Sequence, residues 1–408
     1  MPEMLADYAP IVGDGVVREL RLLGDRLSGT RVLNVNSTRV GGGVAEILNR
    51  LVPLLNEVGL QARWEVVQGT QDFFALTKNL HNALHGAPYT FTPQDAEVFN
   101  STTEINLRHL DLESDVMFMH DPQPAGLIRA REKVGGKWIW RCHIDVSAPA
   151  AGAWEFIAPF VQRYDLSVFS APQFARKLEL PQVLIAPSID PLSDKNRELS
   201  TSQVEDILTR LGIHNDKPIV TQISRFDRLK DPVGVLEAWR IARRRVDCQL
   251  VLAGGGATDD PEGAEVLREV REKAGDDPDV HILDLPPTAN IEINAIQRGS
   301  TVVIQKSLKE GFGLTVSEAL WKSKPVIAGA VGGIPLQITH KYSGILTHTV
   351  EGTAFWIKQL LSAPEFAQAL GANGHNHVRT NFLLTRHMRD YLLAFLFLRS
   401  DRSDVIRL

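Results

Sequence analysis

VLNVNSTRVGGGVAEILNRLVPLLNEVGLQARWEVV, residues 32–67, decides the fold class. Val32 to Val35 is a short β-branched run that reads as a buried strand. The glycines Gly41-Gly42-Gly43 turn the chain. Val44, Ile47, Leu48, Leu51, Leu55 and Val58 then recur at helical spacing. Gly59 stops that helix, and Arg63 to Val67 reads as the next strand. Strand, crossover helix and strand make a βαβ unit, the building block of a parallel sheet.

The same alternation runs outward in both directions. Strands are expected at Asp115–Met119, Lys137–Cys142, Leu166–Phe169 and Val183–Ala186. Pro187 to Asp194 has no periodicity and reads as a linker. A second series follows, with strands at Pro218–Ile223, Gln249–Ala253, Val280–Leu283, Thr301–Ile304 and Pro325–Ala328. Asp231-Pro232 should start a helix, with Asp as N-cap and Pro at the first helical position. Thr385 to Arg399 reads as a helix carrying Met388, Leu392, Phe395 and Leu396 on one face. The expected architecture is α/β, two Rossmann-like domains facing a cleft, residues 1–190 and 191–384. Ligands of such sheets sit beyond the carboxyl ends of the strands, so the loops after strands matter most.

Composition narrows the function. The chain has 408 residues, 44% hydrophobic and 23% charged, with a formal net charge of −5. That balance gives no general affinity for nucleic acid or membrane lipid, so an anionic substrate needs a local cluster of donors. The longest apolar run, Leu392 to Leu398, is too short to span a bilayer. The N-terminal residues carry no apolar run, and Cys142 and Cys248 show no ligand spacing. A cytoplasmic protein with two reduced thiols is expected.

Five loops can carry chemistry. Gly42 and Gly43 open a helix whose N-terminus can receive an anion, although a plain tight turn reads equally well. Position 46 is Glu, so the Gly-x-Gly-x-x-Gly dinucleotide fingerprint is absent. In Ser224 to Asp231, Arg225 and Lys230 can meet a common anion in front of a helix; a solvated basic turn is the plainer alternative. Lys309 to Ala319 is the most specific stretch. Its glycines let backbone approach a ligand, Glu310 follows a strand, and Glu318 falls in the next helix. Two carboxylates so spaced can accept from sugar hydroxyls at one end and ribose hydroxyls at the other. His143 and Asp145 leave the strand ending at Cys142, and Asp121 and Gln123 follow another strand between prolines. His143 stands where a strand ends at the cleft, against the alternative of a packed histidine, and the proline-stiffened Asp121 and Gln123 suit acceptor binding, against the alternative of a structural turn. Gly332-Gly333-Ile334-Pro335 can cap the same pocket. The remaining polar features read as bland: Arg243-Arg244-Arg245 as a solvated face, His375 and His377 as exposed, and Asp259-Asp260 as lacking partners for a metal.

Together these loops resemble the retaining glycosyltransferases of GT-B fold that include sucrose, sucrose-phosphate and glycogen-type synthases. Glu310 and Glu318 match that family's two glutamates separated by seven residues, and Ser224 to Lys230 resembles its diphosphate loop with Ser in place of Gly. Asn36-Ser37-Thr38, Gly41 to Leu48, His120 to Pro124, Trp140 to Asp145 and Ser188 to Ser193 resemble, within it, the trehalose-forming glycosyltransferring synthases. The resemblance implies glucose transfer from an NDP-glucose to free glucose, giving α,α-trehalose reversibly. It implies a homodimer, no metal cofactor, and return of the helix 385–400 to the first domain. By its pattern Arg225 and Lys230 hold the diphosphate. Glu310 and the Gly311, Phe312, Gly313, Leu314 and Thr315 segment hold donor sugar and phosphate, and Glu318 holds ribose. His143 lies at the donor sugar's reactive face, and Asp121, Gln123 and Asp145 contact the acceptor. Substitution on one face, without a covalent enzyme intermediate, is the expected route. The alternatives are transfer to a sugar phosphate or fructose, a non-catalytic sugar-binding regulator, and a nicotinamide oxidoreductase.

Overall fold

In the computed structural model, residues 4–40, 42–255 and 261–400 are described; Gly41 and the Asp259-Asp260 pair lie outside them. The chain divides into two units, one made of Met1–Ser188 and Leu384–Leu408, the other of Ile189–Leu383. Each holds a six-stranded sheet, and every strand pair is parallel.

The first sheet contains β1 (Arg31–Asn36), β2 (Gln61–Val66), β3 (Val116–His120), β4 (Lys137–Cys142), β5 (Leu166–Phe169) and β6 (Gln182–Leu184), in the order β2-β1-β3-β4-β5-β6. All five residues of β3 are buried, as expected for a strand covered on both faces. β6 ends two residues before the expected Ala186, because the Ile185 N–H makes the last link to the Phe169 carbonyl at 2.9 Å. The helix Leu384–Arg399 packs on this unit. Its Tyr391 and Phe395 rings stand 4.7 and 6.1 Å from Phe118 of β3.

The second sheet contains β7 (Ile219–Ile223), β8 (Gln249–Gly254), β9 (Val280–Asp284), β10 (Val302–Gln305), β11 (Val326–Gly329) and β12 (Ile345–Thr347), in the order β12-β11-β10-β7-β8-β9. Its core gathers Val220, Trp239, Leu250, Leu252, Ile304 and Ile327. β12 is absent from the sequence reading: three residues are too few to show periodicity, and pairing with β11 makes the strand.

Both sheets have a switch point, where the strand order reverses. In the first it lies between β1 and β3, in the second between β7 and β10. Loops after those strands flank a crevice where α/β sheets take their ligands.

The expected helix start at Asp231-Pro232 is present. Asp231 sits in the left-handed region at φ 50°, and its Oδ1 accepts from the Gly234 N–H at 3.0 Å. A Cβ on Gly234 would stand 2.2 Å from Asp231 Oδ2, so a side chain there would push the Asp231 cap aside. Pro187 to Asp194 carries the boundary between the two units, as a linker should; Ser188 and Ile189 are buried there, and the Ile189 N–H donates to the Phe382 carbonyl at 2.9 Å. Two expectations need correction. Arg243 is not merely solvated: it pairs with Asp277 at 2.6 Å and lies over the Trp239 ring at 4.8 Å. His375 and His377 are half-buried, and His375 stacks on Trp321 with ring centres 4.4 Å apart.

Candidate active site

In the second unit, two loops beside the switch point lock onto each other. The loop after β7 passes through a short 3-10 turn, Arg228–Lys230. The loop after β10 runs from Lys306 to Gly313. Lys230 Nζ donates to Glu310 Oε2 at 2.7 Å, and Ser307 Oγ donates to the same oxygen at 3.1 Å. One residue further, Asp231 pairs with the buried Lys306. The Leu308 N–H closes the contact on the Leu229 carbonyl at 2.8 Å. Lys230 and Glu310 are thus brought together, with side chains only 18% and 11% exposed. Arg225, on the same loop, is exposed and pairs with Asp227 at 3.1 Å.

The glycine stretch is shaped by a third loop. Gly313 is left-handed at φ 82° and caps the helix Leu314–Trp321. The Gly333 N–H donates to the Gly311 carbonyl at 3.0 Å, and Gln337 Nε2 donates to the Phe312 carbonyl at 2.5 Å. A Cβ on Gly332 would stand 1.6 Å from the Glu310 carbonyl oxygen. Gly332-Gly333 therefore supports the Glu310 to Gly313 turn from below. Leu314 and Thr315 form the first turn of the helix, where N–H groups lack helical partners and favour an anion.

Glu318 lies in that helix and is buried, not the surface position its sequence alone allows. Lys195 Nζ stands 3.8 Å from its Oε1. Lys322, one turn on, is also buried and donates to Gln297 Oε1 at 2.8 Å and Asn196 Oδ1 at 3.0 Å. Burial outweighs the nearby Glu318 carboxylate and lowers the Lys322 ammonium to about 7. Lys195, Lys306 and Ser307 escaped the sequence reading. Only their places beside a crossing point and a strand end could have marked them.

The first unit holds a second polar group at its own switch point. Asp121 follows β3 in the left-handed region at φ 67°. Its Oδ1 accepts from the His143 N–H at 2.8 Å, so the structure brings these two residues together. Burial raises the Asp121 carboxyl to about 6. The His143 ring meets His120, with Nε2 3.2 Å from His120 Nδ1. Gln123 turns a buried Oε1 to no hydrogen-bond partner among the described residues. Asp145 is drawn aside: its Oδ1 accepts from the Ser147 N–H and Oγ at 2.9 and 2.5 Å. Gly42, at φ 80°, caps the helix that starts at Gly43, and no side chain closes that cap.

Among the described residues, no three His, Cys, Asp or Glu side chains are grouped to hold a metal ion. No described helix is long and apolar enough to cross a membrane.

Comparison with known proteins follows the same division. Residues 34–176 match the family described as "Trehalose synthase, N-terminal domain", and residues 203–377 match "Glycosyl transferases group 1". A trehalose synthase of Rubrobacter xylanophilus is 45% identical over 403 residues, 96% of each chain. One from Pyrococcus horikoshii is 43% identical over 395 residues, 95% of each. Among solved structures, a sucrose-phosphate synthase from Thermosynechococcus elongatus superposes with a TM-score of 0.72 at 19% identity. It covers 91% of this chain and 100% of its own. That likeness identifies the fold as GT-B.

Proposed function

The chain belongs to the trehalose synthase family of glycosyltransferases, and from that premise we propose that it moves glucose from an NDP-glucose to free glucose, with retention, forming α,α-trehalose reversibly. Hexosyl transfer connected with trehalose follows from the family; donor, acceptor and stereochemistry are this proposal's own. The observation that carries it is the Lys230–Glu310 pair beside a glycine turn at a helix N-terminus. A cation, a carboxylate and free N–H groups so close together suit a sugar and its phosphates at once.

In this reading Arg225 and Lys230 hold the diphosphate and stabilise the charge that grows there as the glycosidic bond breaks. Gly311 to Thr315 supply backbone N–H groups, Glu310 takes the sugar hydroxyls, and Glu318 takes the ribose. Gly42 and Gly43 present a second helix N-terminus to the donor. His143 faces the developing oxocarbenium, while Asp121, Gln123 and Asp145 meet the acceptor glucose. Double displacement would need a nucleophilic carboxylate about 5–5.5 Å from a second carboxyl. Glu310 suits that role poorly, because one of its oxygens already accepts from both Lys230 and Ser307. The leaving diphosphate instead takes the acceptor proton on the same face. The cationic side chains serve where another fold would use a metal, so no cofactor is required. Buried, unpaired Cys142 and Cys248 fit a reducing, cytoplasmic setting, and the proposed state is a homodimer.

The test is incubation with ADP-, UDP- and GDP-glucose against glucose, glucose 6-phosphate and fructose, with products identified by NMR. Trehalose from free glucose with at least one donor is expected. Transfer only to a sugar phosphate or to fructose would overturn the acceptor assignment.

A further inference from the structure

Three neighbouring strands of the first sheet place one polar side chain each in line. Asn34 lies on β1, His120 ends β3, and His143 follows β4, in a sheet ordered β1-β3-β4 at that point. Asn34 and His120 are 1% and 2% exposed, so neither can be satisfied by solvent. Asn34 Oδ1 is 3.1 Å from His120 Nε2, and His120 Nδ1 is 3.2 Å from His143 Nε2. The two imidazole planes lie within 20° of each other.

The proton positions follow from the partners in turn. The Asn34 amide nitrogen lies 3.5 Å from the Arg63 carbonyl, which can only accept. The amide oxygen therefore faces His120, and His120 must donate through Nε2. A neutral imidazole with its proton on Nε2 has its lone pair on Nδ1. His143 must then donate through its own Nε2, which leaves its Nδ1 as an acceptor. That nitrogen has no hydrogen-bond partner among the described residues.

The surroundings oppose a second proton on either ring. Arg141, fully buried on β4, faces the group from one side, and His387 faces it from the helix Leu384–Arg399. Asp121 is the nearby acid, and its Oδ1 is taken by the His143 backbone. Burial and then Arg141 lower the His120 imidazolium to about 3, and burial first, then Arg141, lowers that of His143 well below its ordinary value.

We propose that Asn34 and His120 are positioning residues that hold His143 as a neutral ring protonated on Nε2, so that Nδ1 offers only an acceptor to the sugar ligand. The role toward ligand rests on the reading of His143 given above; the proton arrangement does not. The relay gives hydrogen-bond partners to a buried amide inside β1 and to the buried histidine that ends β3.

The test uses the full chain labelled with 15N-histidine, whose 12 histidines give long-range 1H–15N ring correlations. His143→Gln and His120→Gln assign the two rings by difference. Both should show the neutral Nε2–H pattern at pH 7. A His143 ring carrying its proton on Nδ1, or on both nitrogens, would overturn the proposal without touching the glycosyl-transfer reading. Asn34→Leu, similar in size, removes the terminal acceptor. His143 should then divide between tautomers, and kcat should fall about tenfold with donor KM within about twofold, at the lower end of the about 10- to 100-fold range known for partners that orient metal-bound histidines. A variant with the parent's spectrum and kcat would show that Asn34 positions nothing. If Asn34→Leu does not fold, the parent spectrum alone decides the tautomer. If the parent transfers no sugar, that spectrum still decides it, and only the functional reading is lost.

Discussion

Removing Lys230 should separate two roles held by one side chain. At 2.7 Å, the Lys230–Glu310 attraction is about 6 kcal/mol gross at an effective dielectric of 20. Desolvation of both groups offsets most of that. Lys230→Ala, however, removes only one partner and leaves the Glu310 carboxylate with Ser307 alone. A fully buried charge stranded in this way costs about 3–5 kcal/mol; the residual exposure here reduces the expected loss to about 1–3 kcal/mol. Activity should fall further, by ~10²–10³, the range for losing one donor aimed at developing negative charge. The double variant Lys230→Met, Glu310→Gln removes both charges and should recover most of the stability. Its transfer activity should stay low. Thermal unfolding and steady-state transfer assays on the same preparations read the two effects. Normal turnover and donor KM in Lys230→Ala would refute the assigned role. Recovery of activity in the double variant would show that the pair matters only for folding.

Other consequences are simpler to read. His143→Ala should lower kcat more than donor affinity, because an interaction made mainly in the transition state appears in kcat; equal kcat with raised KM would contradict that. Asp121 has its carboxyl raised to about 6 by burial, so the folded chain holds that proton more tightly than the unfolded chain does. The resulting stabilisation is complete below about pH 4 and lost above pH 6. Asp121→Asn keeps an acceptor for the His143 N–H, and should raise the melting temperature at pH 7.5 while leaving it unchanged at pH 4. A uniform shift at both pH values would exclude this cause. Transfer should survive EDTA if Arg225 and Lys230 neutralise the diphosphate as proposed; loss restored by magnesium would refute that.

Much of this was legible in the sequence because buried parallel strands announce themselves. The β-branched run at Val32–Val35 and the helix-spaced Val44 to Val58 fixed the class of the first sheet without further help. Loop positions were legible as well, since Glu310 and Lys230 each follow a strand. Their mutual pairing was not, because it depends on β7 and β10 being neighbours, eighty residues apart in the chain. Glu318 was readable as a helix residue, but its burial comes from how that helix packs. The arginine at 243 and the histidines at 375 and 377 looked solvated because their partners, Asp277, Trp321 and the Leu336 carbonyl, are distant in sequence. Asn34 gave no signal at all within an apolar strand; only the sheet order places it beside His120.

The most direct test of the central claim follows a labelled anomeric carbon. NDP-glucose with α configuration and 13C at C1 of the glucose is incubated with unlabelled glucose, and the disaccharide is observed by 13C NMR from the earliest turnovers. The account predicts α,α-trehalose labelled in one ring, with no β-linked product. A β anomeric signal from the labelled carbon, or no labelled disaccharide with any nucleoside diphosphate donor, would contradict it.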